Sequence, residues 1–125
     1  MQNLLLVMAG GALGSAGRYG VGRLTLSQLG PHYPWGTLVV NLMGGLAMGV
    51  LAGVLARFGE GGQGWRHFLA LGLLGGFTTF SAFSLDTATM IQRGDWGGAG
   101  LYALASVIGS VTALFLGLWI VKVAA

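Results

Sequence analysis

Charged residues are missing from long tracts of this chain. None occurs from Met1 to Gly17, from Leu24 to Ala56, or from Trp96 to Val121, and the tract from His67 to Gln92 carries only Asp86. Each tract approaches or exceeds the ~20 apolar residues that a helix needs to cross a bilayer. Four spans are therefore available, from about Asn3 to Ser27, Trp35 to Arg57, Trp65 to Arg93 and Gly97 to Val123. The expected fold class is all-α integral membrane, a single four-span domain over residues 1–125. With roughly 25 residues per span and short links, no room is left for a soluble domain.

Composition narrows the function classes. Hydrophobic residues make up 54% of the chain and charged residues 7%, against about 25% charged in ordinary soluble domains. Cysteine is absent, which excludes disulfides, thiolate metal sites and cysteine nucleophiles. The net charge of +3 comes from six basic residues scattered singly, so no patch exists for nucleic acid. Residues 1–17 lack a basic leader and a small-x-small cleavage site followed by a soluble chain, and are read as the first span. His32 and His67 lie near span ends without acidic neighbours, and no nucleophile and base pair is apparent, so an enzyme is not expected.

Four tryptophans, Trp35, Trp65, Trp96 and Trp119, fall near the proposed span ends, where amphipathic indoles prefer the headgroup region. The links are marked by Leu29-Gly30-Pro31 and by the glycine-rich run Gly59-Glu60-Gly61-Gly62-Gln63-Gly64, which reads as a polar turn. Basic residues do not set an orientation. Arg57, Arg66 and Lys122 fall on one side and Arg18, Arg23 and Arg93 toward the other, whereas a bias in short loops normally decides topology. The balance predicts insertion in both orientations, so that the chain can pair with an inverted copy of itself.

Glycine supplies 25 of the 125 residues. Gly10 and Gly14, Gly45, Gly49 and Gly53, and Gly72 and Gly76 repeat at four-residue spacing, which keeps each set on one helical face. Such faces let backbones approach closely in lipid, where apolar burial drives little association. They predict a tightly packed bundle and, for only four helices, an oligomer.

The segment Gly75-Gly76-Phe77-Thr78-Thr79-Phe80-Ser81-Ala82-Phe83-Ser84 is a poor continuous helix, because paired glycines and β-branched threonines weaken helical propensity. Either it breaks in mid-membrane, freeing carbonyls for a cation and aiming a half-helix N-terminus at the membrane centre, or it kinks while its hydroxyls bond back to their own carbonyls. Asn41, alone among Val39, Val40, Leu42 and Met43, either ties helices together or lines a wet path. Tyr102, Ser106 and Ser110 put three hydroxyls on one face of the fourth span. A stripe of neutral donors suits an anion that must shed water without being trapped by a fixed charge. Phe80 and Phe83 either pack in the core or offer an anion their positive ring edges. Arg18 either snorkels to the interface or draws anions to a vestibule. Asp86, the one acid inside a span-length tract, is either functional or interfacial.

Gly11-Ala12-Leu13-Gly14-Ser15-Ala16-Gly17-Arg18-Tyr19, Gly36-Thr37-Leu38-Val39-Val40-Asn41-Leu42-Met43-Gly44 and Gly75-Gly76-Phe77-Thr78-Thr79-Phe80-Ser81-Ala82-Phe83 together closely resemble the three signatures of the Fluc (CrcB) fluoride channel family. The resemblance runs through the whole chain in order, with matching length and span count. It implies an antiparallel, dual-topology homodimer with two pores in the inner (plasma) membrane of a microbe, passively exporting fluoride from the cytoplasm and so reducing its toxicity. It further implies that Asn41, Phe80 and Phe83 line the pore, with Tyr102, Ser106 and Ser110 as its polar track. Arg18 and Thr37 would belong to the vestibule. Backbone carbonyls of Gly75 and Thr78 from both subunits would hold one structural sodium ion (Na+) at the dimer centre. The chain departs from the family pattern at Ala82, where threonine is usual, and at Asp86, where glutamate is common.

Two other classes fit four short spans. A small dual-topology, proton-coupled multidrug exporter needs a carboxylate within the bundle to exchange protons for a cationic substrate; the first span has none and Asp86 is the sole candidate. A non-transporting subunit would use its polar residues only to bind helices together.

Overall fold

The computed structural model describes residues 2–58 and 63–124. Its helices are α1 (Gln2–Leu29), α2 (Trp35–Phe58), α3 (Gln63–Trp65), α4 (Gly75–Phe77), α5 (Phe80–Gln92) and α6 (Trp96–Ala124), with a π-helical segment, Arg66–Leu74, joining α3 to α4. α3 through α5 form the third of four tracts long and apolar enough to cross a membrane; the other three are α1, α2 and α6. At 1.5 Å rise per residue, 23 to 30 residues reach past a hydrocarbon layer about 30 Å thick, so the helices tilt or extend into the headgroups.

The helix ends follow local chemistry. α1 stops at Gly30, whose φ of 83° is left-handed and whose N–H bonds back to the Leu26 carbonyl at 3.0 Å. Two prolines in the 31–34 link then prevent continuation. After α5, Gly94, also at φ 83°, closes the helix with its N–H on Ile91 O at 2.9 Å while the Asp95 N–H reaches Met90 O at 2.9 Å. Asp95 then caps α6, its Oδ1 accepting from the Gly98 N–H at 2.9 Å, which satisfies one of the free donors at a helix start. The expected first span stopped at Ser27 and the expected fourth span started at Gly97. These two helices run on to their caps, so α1 reaches Leu29 and α6 starts at Trp96, while α5 ends at Gln92, one residue short of the expected Arg93. Within the expected glycine-rich turn, residues 59–62 lie outside the described residues, and Gln63 and Gly64 belong to α3.

Helix pairing follows the glycine faces. α1 packs chiefly on the π-helical segment and α2 on α6. A Cβ at Gly14 would run into the Leu73 carbonyl, and one at Gly49 into the Leu114 carbonyl, so both contacts are backbone against backbone. The buried interior is small: Leu38, Val40, Leu55, Met90, Ala99 and Tyr102. Most other large apolar side chains, including Leu4, Leu5, Leu71, Leu101 and Phe115, face outward, as a helix surrounded by lipid requires.

Candidate functional site

The helical ladder of the third tract is interrupted at Thr78 and Thr79. Thr78 has φ −88° and ψ 159°, and Thr79 has φ −153° and ψ 126°, both extended. On the near side, the Thr78 N–H and Oγ1 both donate to the Leu74 carbonyl, at 3.0 and 2.9 Å. Asn41, from α2, clasps the next residue: its Oδ1 accepts the Thr79 N–H at 2.9 Å and its Nδ2 donates to the Thr79 carbonyl at 3.0 Å. α5 then restarts with Thr79 as its cap, Oγ1 accepting the Ala82 N–H at 3.1 Å. α2 can come this close because residue 44 is glycine; a Cβ there would collide with Thr78 Cγ2.

Beside the interruption lies a cavity of about 390 Å³ lined by Asn41, Thr78, Thr79, Phe80, Phe83, Ser106 and Ser110, with Gly44, Gly45, Met48 and apolar residues of α6. Among the described residues, no charged one lines it. The Phe80 and Phe83 rings lie 5.4 Å apart, and Phe83 stands 5.3 Å from Tyr102. Tyr102 meets Tyr33 edge-on at 5.8 Å, and Tyr33 lies 4.9 Å from Trp35, so five rings run in series from the cavity to the 30–34 link. Phe80 is 76% exposed, and the cavity opens on the outer face of the single chain. Ser106 is 5% exposed and its Oγ has no hydrogen-bond partner among the described residues.

A second cavity, about 490 Å³, adjoins the first through Thr79, which lines both. Its other walls include Ser15, Arg18, Tyr19, Arg23, Thr37 and Ala82. Among the described residues it holds two guanidinium groups and no carboxylate, an arrangement that concentrates anions. Arg18 is anchored through Nε to the Gly76 carbonyl at 3.2 Å, and Arg23 Nη1 reaches Tyr19 Oη at 3.4 Å. Where threonine is usual in the resembled family, Ala82 removes one possible hydroxyl from a wall that keeps those of Ser15, Thr37 and Thr79.

The structure thus gathers Asn41, Phe80, Phe83, Ser106 and Ser110 around one cavity and Arg18 and Thr37 around the next. Tyr102 is fully buried, stacked on Phe83 rather than lining either space, and its hydroxyl donates to Asp86 Oδ2 at 3.1 Å. The shorter aspartate arm therefore still reaches the tyrosine. Asp86 and Thr37 share a third cavity, about 290 Å³, under the 30–34 link. There Tyr33 donates to the Gly98 carbonyl at 3.2 Å; burial, and then the nearby Asp95 carboxylate, raise its pKa, so this phenol stays neutral.

Among the described residues no cluster of His, Cys, Asp or Glu could hold a metal ion. The acceptors that fit an alkali cation are backbone oxygens, hard ligands of the type such ions take. In a continuous helix Gly75 O would accept from Thr79 N–H and Thr78 O from Ala82 N–H. Both donors are bound instead by side chains, Asn41 Oδ1 and Thr79 Oγ1. Gly75 is itself exposed on the single chain.

Sequence reasoning did not single out Thr79 as a site residue. Its signal was the position just before a restarting helix, where a hydroxyl three residues ahead of an unpaired amide makes a cap.

Four long apolar helices, with neutral donors beside an interruption in the third, define a multi-pass membrane protein. Residues 5–118 match the family described as CrcB-like protein, Camphor Resistance (CrcB). A relative from Hyphomonas neptunium is 54% identical over 123 residues, covering 98% of this chain and 97% of its own. Others from Novosphingobium aromaticivorans and Mesorhizobium japonicum are 54% and 52% identical, each over 98% of both chains. All three carry the name fluoride-specific ion channel FluC. This chain belongs to the CrcB-like family.

Proposed function

We propose that the protein is a fluoride-selective channel that passively exports fluoride from the cytoplasm, working as an antiparallel, dual-topology homodimer in the inner membrane. The observation that carries this reading is the uncharged cavity in which Asn41, Ser106, Ser110 and the Phe80 and Phe83 rings meet. A small anion entering it exchanges water for hydroxyl and amide protons and for positive ring edges. Among the described residues no cation along the cavity wall traps it, while Arg18 and Arg23 gather anions in the adjoining vestibule. Thr37 sits between that vestibule and the Asp86 pocket. The unpartnered Ser106 hydroxyl is free to donate to the passing ion, with Tyr102 holding Phe83 from behind.

Assembly with an inverted copy is supported by the even division of basic residues and by the outward-facing Phe80 and open cavity, which a second chain would enclose. The interruption at Thr78 and Thr79 would then lie near mid-membrane. Gly75 and Thr78 carbonyls from both copies would hold one sodium ion, which supplies a structural tie between subunits. Growth of a bacterium lacking fluoride export, in medium containing fluoride, tests the export role. Expression of this chain is expected to restore growth, and no restoration by correctly inserted protein would contradict it.

A further inference from the structure

We propose that Asn41 and Thr79 are positioning residues that keep the Gly75 and Thr78 carbonyls available to the cation, by capturing the two amides that would otherwise bond to them. This rests on the reading that those carbonyls hold sodium. The two captures are matched. Thr79 N–H, the helical donor for Gly75 O, is held by Asn41 Oδ1 at 2.9 Å, and Ala82 N–H, the helical donor for Thr78 O, is held by Thr79 Oγ1 at 3.1 Å.

Asn41 acts as a detached peptide group. It supplies an acceptor to the N–H and a donor to the carbonyl of the same residue, which pins Thr79 in its extended conformation from both sides. Thr78 is held from the other direction, its N–H and hydroxyl both on Leu74 O. At membrane depth an amide that loses its partner must find another. The acceptor that helical geometry offers Thr79 N–H is Gly75 O, and the one it offers Ala82 N–H is Thr78 O. Loss of either side-chain acceptor therefore returns a carbonyl to the helical ladder and removes it from the cation. Asn41 and Thr79 also line the uncharged cavity, so the residues that free the carbonyls are part of the wall of the anion path.

The test uses the purified full-length dimer and no flux measurement. Its thermal midpoint is followed as sodium chloride replaces N-methylglucamine chloride at constant ionic strength. The wild type is expected to gain stability with sodium, because an ion that binds the assembled form stabilises it. Thr79→Val, which keeps the shape and loses the acceptor, is expected to need roughly tenfold more sodium for the half-maximal effect, the ratio carried by about one hydrogen bond. Asn41→Leu should shift in the same direction, and Thr79→Ser should restore the wild-type response. A wild type indifferent to sodium overturns the cation reading and this proposal with it. A sodium-responsive wild type matched by Thr79→Val and Asn41→Leu overturns the proposal alone. If Thr79→Val yields no folded dimer, Thr79→Ala, which introduces no new atoms, carries the same expectation and the same contrary result.

Discussion

Asn41 and Thr79, thirty-eight positions apart in the chain, are joined by two hydrogen bonds, Thr79 N–H to Asn41 Oδ1 at 2.9 Å and Asn41 Nδ2 to Thr79 O at 3.0 Å. One side chain thus stands in for a turn of helix where the third tract is interrupted, and its amide also faces the uncharged cavity.

Asn41→Asp leaves one half of the clasp and changes the cavity wall. An ionised carboxylate keeps the acceptor for Thr79 N–H but cannot donate to Thr79 O, and it places a like charge beside the anion's path. Repulsion between like charges a few ångströms apart is worth several kcal/mol at the effective dielectric of a protein, so fluoride flux should fall at least about a hundredfold. Initial efflux rates from proteoliposomes measure this, and undiminished flux would remove Asn41 from the pore.

Phe80→Ile separates packing from ring electrostatics. Phe80 is 76% exposed on the single chain, and isoleucine keeps most of the volume while losing the positive edge. Aromatic edge interactions are worth about 0.5–1.5 kcal/mol, so flux should drop by roughly tenfold with the dimer intact. Wild-type conductance in this variant would mean that the ring only packs.

Ser106→Ala should move stability and flux in opposite directions. The Ser106 hydroxyl is buried without a partner among the described residues, a state that costs about 1–3 kcal/mol. Alanine removes that cost, so the thermal midpoint should hold or rise while fluoride efflux falls. A variant that lost stability and kept full flux would assign Ser106 to packing.

Gly14→Ala tests the helix contact that supports the site. A Cβ at this position would run into the Leu73 carbonyl and come within 2.8 Å of the Phe77 amide nitrogen, and backbone has little room to yield. Overpacking of this kind costs about 1–3 kcal/mol, so the folded protein should melt several degrees lower. An unchanged midpoint would mean that α1 and the third tract part without loss.

The four spans were legible because charge-free tracts and terminal tryptophans report the membrane directly, without help from tertiary contacts. The glycine faces were legible for a related reason: four-residue spacing is a property of one helix, and Gly14 and Gly49 both meet backbone where that spacing placed them. The poor helical propensity around Thr78 and Thr79 could be read too. What could not be read was the partner that stabilises the interruption. Asn41 stood out as an isolated amide, but its double bond to Thr79 depends on how closely α2 approaches, and that is set by Gly44. The π-helical segment, which packs on α1, left no recognised trace in the sequence. Spacing put Tyr102 in line with Ser106 and Ser110, yet it turns inward to Asp86, a contact between helices that periodicity along one helix cannot supply.

The central claim is selective passage of fluoride, and the most direct measurement is efflux from liposomes containing the purified protein, with fluoride and chloride followed in parallel by ion-selective electrodes. Rapid fluoride release with little chloride release is the expected result. No release of either ion, from protein demonstrated to be folded and dimeric, would contradict the account.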